Sequence, residues 1–241
     1  MPPGLLRCRT PARRYLQAVA GPIPILFEDE HILVADKPAG LLSVITGGSP
    51  GESLPEALAG QGLDVIPVHR LDREVSGCVL FARTEAARAA LEEMFRAREL
   101  SKTYWALAQG RVKPAQGSFH FPILEEGPVA RVSALGKKSE TRYRTLAAFA
   151  TSSEVEIDLV TGRKNQIRVH FAHAGFPLVG ERKYARGKDS RVRIKSRRVA
   201  LHAWRLAFPH PMTRAKIAVE APLPEDLVEV REAAARARAS G

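Results

Sequence analysis

Val68-His69-Arg70-Leu71-Asp72-Arg73-Glu74-Val75-Ser76-Gly77 runs without a break into Cys78-Val79-Leu80-Phe81-Ala82. The second block is a short continuous apolar run, the pattern of a strand buried on both faces. The first is polar and sets arginines on both sides of an aspartate. Loops held by a rigid strand are where reactive side chains concentrate. Asp72 therefore has two readings. It is a carboxylate held charged for chemistry by neighbouring guanidiniums, or it belongs to a surface ion-pair cluster of small energetic weight. Spacing alone does not separate them.

Upstream, Ile25-Leu26-Phe27, then Glu28-Asp29-Glu30, then His31-Ile32-Leu33-Val34-Ala35 reads as strand, polar turn, strand. Lys37-Pro38-Ala39-Gly40 ends that strand, and the Gly/Pro-rich residues 46–52 form a loop. Downstream, Thr84 is placed to cap a helix in which Ala87, Leu91, Met94 and Phe95 recur at helical spacing. Strands are predicted at Thr103–Gln109, at Thr141–Phe149 and around Val155, Ile157 and Leu159. Ile167, Phe171 and Ala174 share one helical face, with Gly175 as the stop. A hairpin over Val199–Phe208 and Ala215–Val219 precedes an Ala/Arg-rich helical tail from Glu225. The expected fold class is α/β of the α+β type, a central, largely antiparallel mixed sheet flanked by helices and loops. The expected organisation is a flexible basic arm over 1–23, a catalytic body over 24–224 and a helical tail over 225–241.

The 241 residues carry a net charge of +11, and its location is informative. Residues 1–27 hold four arginines and no acid, while residues 186–198 hold seven basic residues against Asp189. Localised positive charge suits a polyphosphate partner, since each neutralised phosphate releases counterions. An Arg-rich start without acids also fits an organellar transit peptide. No apolar run reaches the roughly 18 residues of a membrane span. Cys8 and Cys78 show no close pairing and suit a reducing compartment, so a cytoplasmic protein is expected.

Several chemistries find no support. No Gly-rich phosphate loop ends in Lys-Ser or Lys-Thr. His170 and His173 lack further ligands at zinc spacing. Cys78 sits in an apolar strand, where an inert thiol is the ordinary case. No DNA-recognition helix or zinc finger is visible.

The stretch His69-Arg70-Leu71-Asp72 resembles the signature of the RluA-type pseudouridine synthases, and four other blocks resemble the family in its order. They are FEDEHILVADKPAGLLS at 27–43, KTYWALAQG at 102–110, TGRKNQIRVHFAHAGFPLVGERKY at 161–184 and LHAWRLAFPHP at 201–211. The resemblance implies the pseudouridine synthase fold and an isomerase of uridine in structured RNA that uses no cofactor and no metal. It implies that the uracil N1–C1′ bond is broken and the base rejoined through C5. Asp72 matches the family's essential aspartate, acting as a nucleophile at C1′ or as the base that takes the 2′ proton. Tyr104 is expected beside the target base, and Arg168 is expected to ion-pair with Asp72. Arg70 matches the arginine that enters the gap left by a flipped base. Lys37, Arg163 and Lys164 are expected to face phosphates, and His69 and Leu71 to be structural supports.

Two departures stand out. Val75 occupies a position where many relatives carry Thr. Lys164-Asn165 replaces a common Thr-His or Ser-His pair, and neither departure is expected to touch the pocket residues. No room is seen before residue 24 for the small RNA-binding domain of many relatives. RNA grip is therefore expected from the catalytic body, with Arg191, Arg193, Lys195, Arg197 and Arg198 as candidates. The expected partner is a ribosomal or transfer RNA stem-loop, bound by a monomer. A non-catalytic RNA-folding protein on the same scaffold is the other reading, and the presence of Asp72, Tyr104 and Arg168 together argues against it.

Overall fold

The computed structural model of the chain describes residues 21–44, 53–127, 129–185 and 194–237. Most of the expected N-terminal arm, the loop at 46–52, and Arg191 and Arg193 lie outside those residues. In chain order the first half comprises β1 (Ile25–Glu28), β2 (Ile32–Lys37), α1 (Leu54–Ala59), β3 (Ile66–Pro67), β4 (Ser76–Ala82), α2 (Glu85–Ala97), β5 (Ser101–Gln109) and β6 (Gln116–Phe119). The second half comprises β7 (Ile123–Glu126), β8 (Val129–Val132), β9 (Thr141–Ala148), β10 (Ser152–Leu159), α3 (Gln166–His173), β11 (Leu201–Pro209), β12 (Lys216–Glu220) and α4 (Glu225–Arg236).

The apolar run of β4 decides the architecture, because all seven of its residues are buried. Val79 and Phe81 join one core with Leu33, Ala106 and Phe171, while Cys78, Leu80 and Ala82 join another with Ile32, Leu91 and Met94. Covering both faces requires neighbours on each edge and layers above and below. The main sheet accordingly runs β1-β2-β4-β11-β5-β10-β9-β6, with β12 beside β11 and β3 beside β4. Its pairings are antiparallel except β4 with β11, where Ser76 and Gly77 run parallel to His202 and Ala203. The expected mixed, mostly antiparallel sheet is the observed one.

Local signals account for most boundaries. The Asp29 carboxylate accepts from the N–H of His31 and of Ile32, both at 2.8 Å, which makes the β1–β2 turn tight. Thr84 Oγ1 accepts from Ala87 N at 3.2 Å, as a cap should, and α2 buries Ala87, Leu91 and Met94. α3 ends before Gly175, whose φ of +85° suits a glycine. The predicted tail is a docked helix: Leu227, Val230 and Ala234 of α4 pack with Trp105, Leu107 and Val179. The stretch carrying β6, β7 and β8 shows no clear sequence signal, because these short strands bury few apolar side chains, among them Phe119, Ile123 and Ala130.

Gly77 is needed where β4 meets β11. Its φ is +111°, and a Cβ there would collide with the Ala203 backbone. Gly77→Ala should therefore destabilise the protein by more than about 3 kcal/mol, through strain and disruption of the parallel pairing. Urea unfolding monitored by circular dichroism checks this.

Candidate active site

β3 and β4 are antiparallel neighbours, with Pro67 opposite Phe81, so residues 68–75 form a loop anchored at both ends on the sheet. His69 supports it from inside. Its Nε2 accepts from Leu80 N at 2.8 Å, and burial, aided by the Lys102 charge, pushes its pKa down to about 3, so it serves as a neutral acceptor. Arg70 is exposed at the rim, and Leu71 and Val75 are buried beneath.

The turn after β2 clamps the loop on either side of Asp72. Ser43 Oγ accepts from Leu71 N and donates to Leu71 O, both at 2.9 Å. Gly40 N donates to Arg73 O at 2.7 Å, and Arg73 Nε donates back to Gly40 O at 2.7 Å. Lys37 Nζ completes the clamp, donating to Pro38 O at 2.9 Å, Leu41 O at 2.8 Å and Arg73 O at 3.3 Å. The expectation that Lys37 faces phosphates is thus corrected. Its side chain is fully buried, burial draws its pKa down to about 7, and its N–H bonds go to three carbonyls. The Lys-Pro-Ala-Gly turn draws the ammonium inward because those three carbonyls converge on one point beneath the loop.

Asp72 opens onto a groove of about 790 Å³, with Tyr104, Ile167 and Leu201 among its apolar lining and Arg168, Asn165 and Lys102 among its polar one. Tyr104 comes from β5 and is 7% exposed. Burial first, then the Asp72 charge, hold its hydroxyl far above the usual phenol range, so it stands as a neutral phenol.

Arg168, on the first turn of α3, reaches Asp72 as expected, with Nη1 at 3.5 Å from Oδ2. That is not its main bond. Nε and Nη2 donate to Glu181 at 2.6 and 2.9 Å in a bidentate pair, and Glu74 lies 3.4 Å from Nη2. Burial opposes the Arg168 charge, but the hydrogen bonds and proximity of Glu181, then of Asp72 and Glu74, outweigh it and raise its pKa. Glu181 is also held from the backbone by Lys183 N at 2.7 Å and Tyr184 N at 3.2 Å. Burial works against its charge too, yet the hydrogen bond and charge of Arg168, then these backbone bonds, keep its pKa below the ordinary 4.5.

Asn165 also reaches the carboxylate. A carboxylate only accepts, so the amide nitrogen must face it. In that orientation Nδ2 donates to both Asp72 oxygens, at 2.9 Å to Oδ1, and the amide oxygen accepts from the Tyr184 hydroxyl at 2.6 Å. The expectation that the Lys164-Asn165 departure leaves the pocket residues untouched is corrected accordingly. Sequence reasoning missed Glu181, Asn165 and Tyr184; the unusual pair at 164–165 was the one visible signal.

The basic candidates separate. Arg163 lines the groove, and its Nε is buried with no hydrogen-bond partner among the described residues. Lys164 also lines it, but its Nζ donates to Gly127 O at 2.7 Å. Lys195 and Arg197 stand apart from the groove lining. Arg198 is a correction. It is 6% exposed, and its guanidinium donates to Asp226 at 2.6 and 2.9 Å, to Ser76 Oγ at 3.1 Å and to Glu74 O at 3.1 Å. It locks α4 to the base of β4 because an acid at the start of α4 meets it there. Arg98, at the end of α2 with φ of +60°, and Lys102 add positive charge to the groove that the sequence did not reveal. Among the described residues, no cluster of three or more metal-ligating side chains occurs.

The RNA pseudouridylate synthase family matches this chain over residues 31–173, across β2 to α3 and therefore across the whole clamp and the Asp72 loop. The chain belongs to this family. Ribosomal large subunit pseudouridine synthase C of Escherichia coli K12 is 38% identical over 217 residues, covering 84% of this chain and 67% of that protein. Ribosomal large subunit pseudouridine synthase D of Xylella fastidiosa is 37% identical over 228 residues, covering 87% and 68%. The solved structure of human RNA pseudouridylate synthase domain containing 4 shares the fold at a TM-score of 0.72 and 24% identity, covering 92% of this chain and 94% of that one. As an RluA-type pseudouridine synthase, the protein is an isomerase whose partner is RNA.

Glu181→Gln removes one member of a buried pair and leaves the Arg168 charge without its partner. It should cost about 3–5 kcal/mol at neutral pH. A depressed carboxylate pKa contributes stability that is present above the unfolded value and lost as pH falls. The parent should therefore lose more stability than the variant between about pH 5 and pH 3, read by urea titrations at each pH.

Proposed function

We propose that the groove takes a single uridine turned out of a structured RNA and that Asp72 carries its isomerisation. The observation that carries this reading is the placement of Asp72 at the groove wall, clamped through the backbone of both neighbours and facing Tyr104 and Arg168. The N1–C1′ bond breaks with its electron pair leaving on uracil. The carboxylate either bonds to C1′ or takes the 2′ proton to leave a glycal. The base then turns within the groove and C5 bonds to C1′; on the first route this displaces the Asp72 carboxylate from C1′, and on the second Asp72 returns its proton to C2′. The C5 proton is then lost and N1 gains one, so the product is an isomer and Asp72 is again a free carboxylate. Both routes need an ionised carboxylate close to the sugar and no cofactor.

Tyr104 supplies a flat wall for the base, with its hydroxyl protonated. Arg168 keeps a fixed positive charge near Asp72. Arg70, exposed at the groove's rim, fills the space left by the flipped base. Arg163 and Lys164 meet phosphates beside the groove, and the basic stretch with Arg191, Arg193, Lys195 and Arg197 supplies further phosphate contacts. The two relatives above are named for the large ribosomal subunit, which favours ribosomal RNA as the target here; transfer RNA is the alternative substrate. The catalytic body spans 24–224 and acts as a monomer in the cytoplasm. No described helix is long and apolar enough to cross a membrane.

Pseudouridine mapping in total RNA from cells with and without the gene identifies the target. Adding back Asp72→Asn should leave those sites unmodified, with turnover reduced at least about 10³-fold. Its RNA affinity should stay within about threefold, since an isosteric amide leaves the phosphate-binding residues intact. Retained turnover overturns the role of Asp72. Replacing Arg70 and Arg163 by Gln should lower the salt slope of RNA binding by about 0.7 for each phosphate that is no longer neutralised. An unchanged slope means that other residues meet those phosphates.

A further inference from the structure

Arg168 is committed to Glu181, and its one approach to Asp72 is 3.5 Å long. At that distance it supplies charge but little direction, because hydrogen-bond orientation weakens steeply beyond about 3.2 Å. The donor that meets both carboxylate oxygens is Asn165.

Three further observations bear on Asn165. It occupies the N-cap of α3, where an Asn side chain ordinarily accepts from the helix N–H groups, yet it makes no such capping bond. Its backbone is left-handed, with φ of 52° and ψ of 25°, a conformation Asn tolerates better than most residues. That backbone turns the side chain off the helix and toward Asp72. Its amide oxygen is taken by the Tyr184 hydroxyl, which determines the end of the amide that faces the carboxylate. Tyr184 is itself tied to the Arg168–Glu181 pair. Its backbone N–H donates to Glu181, and its ring centroid lies 5.6 Å from the Arg168 guanidinium carbon.

We propose that Asn165 is a positioning residue that sets the orientation of the Asp72 carboxylate, and that Tyr184 sets the orientation of Asn165. A neutral amide at this distance aims the carboxylate without neutralising its charge. Arg168 provides the field from farther away, and the task is divided between a charged and an uncharged donor. The inference rests on the reading of Asp72 as the catalytic carboxylate.

The test uses the full-length protein and a transcript of the RNA region whose pseudouridine disappears when the gene is deleted. Asn165→Ala should lower kcat about 10- to 100-fold, the worth of a hydrogen bond to a charged group, with KM and RNA affinity within about twofold of the parent. Tyr184→Phe should lower kcat less, and the double variant should be no slower than Asn165→Ala, because both act through one amide. Asn165→His, which keeps an N–H donor, should recover part of the rate, and Asn165→Asp should be slower than Asn165→Ala through like-charge repulsion. An unchanged kcat in Asn165→Ala, an effect confined to KM, or fully additive effects in the double variant each overturn the proposal. Thermal melting of each variant separates loss of fold, and Tyr184→Phe, which keeps the ring, carries the test if Asn165→Ala melts early. Asp72→Asn in the same assay keeps the two readings apart. If it remains active, the role of Asp72 fails. If it is inactive while Asn165→Ala runs at the parent rate, only the positioning role fails.

Discussion

A guanidinium with a side chain only 7% exposed has to be paired, because an isolated charge in such surroundings costs several kcal/mol. Arg168 meets this demand through Glu181, whose side chain is fully buried, and the pair sets the relation between the first turn of α3 and the segment after it. Everything near Asp72 on that side hangs from the pair. Tyr184 follows Glu181 in sequence and donates to it from the backbone, while Asn165 precedes Arg168 and meets the Tyr184 hydroxyl. The bidentate ion pair of the site therefore does not include Asp72. It holds the frame from which other interactions reach that carboxylate.

The other side of Asp72 depends on the sheet. β4 is buried on both faces, and its N-terminal end lies parallel to β11, against a backbone that leaves room for glycine alone at Gly77. The Asp72 loop enters this fixed strand. The turn after β2, itself paired with β4, then grips Leu71 and Arg73 through Ser43, Gly40 and Lys37. Backbone clamping on both flanks leaves the Asp72 side chain few directions to take. Preorganisation of this kind gives a small loop a defined reactive geometry.

Much of this was legible from residues alone. The continuous apolar run 78–82 read as a doubly buried strand because no polar residue interrupts it, and α2 read as a helix because cap and apolar spacing agree. Asp72 and Arg168 were found through resemblance, and their proximity is observed. The basic residues were legible as charge but not as direction. Lys37 and Arg198 look like their exposed counterparts in sequence, yet one is drawn in by three carbonyls and the other by Asp226, 28 positions away. Glu181 was invisible for the same reason, since a lone acid acquires meaning only from the cation that long-range folding brings to it.

The sequence by itself determined most elements of the fold, the mixed sheet and the loop that carries Asp72, because apolar periodicity, caps and turn residues act over a few neighbouring positions. Tertiary structure alone decided which charges face the groove and which are buried in the frame. It also decided that a neutral amide, closer than the expected arginine, holds Asp72. Both follow from electrostatics, mostly between groups far apart in the chain, whose sign is written in the residues but whose partners are set only when burial brings them within hydrogen-bonding distance.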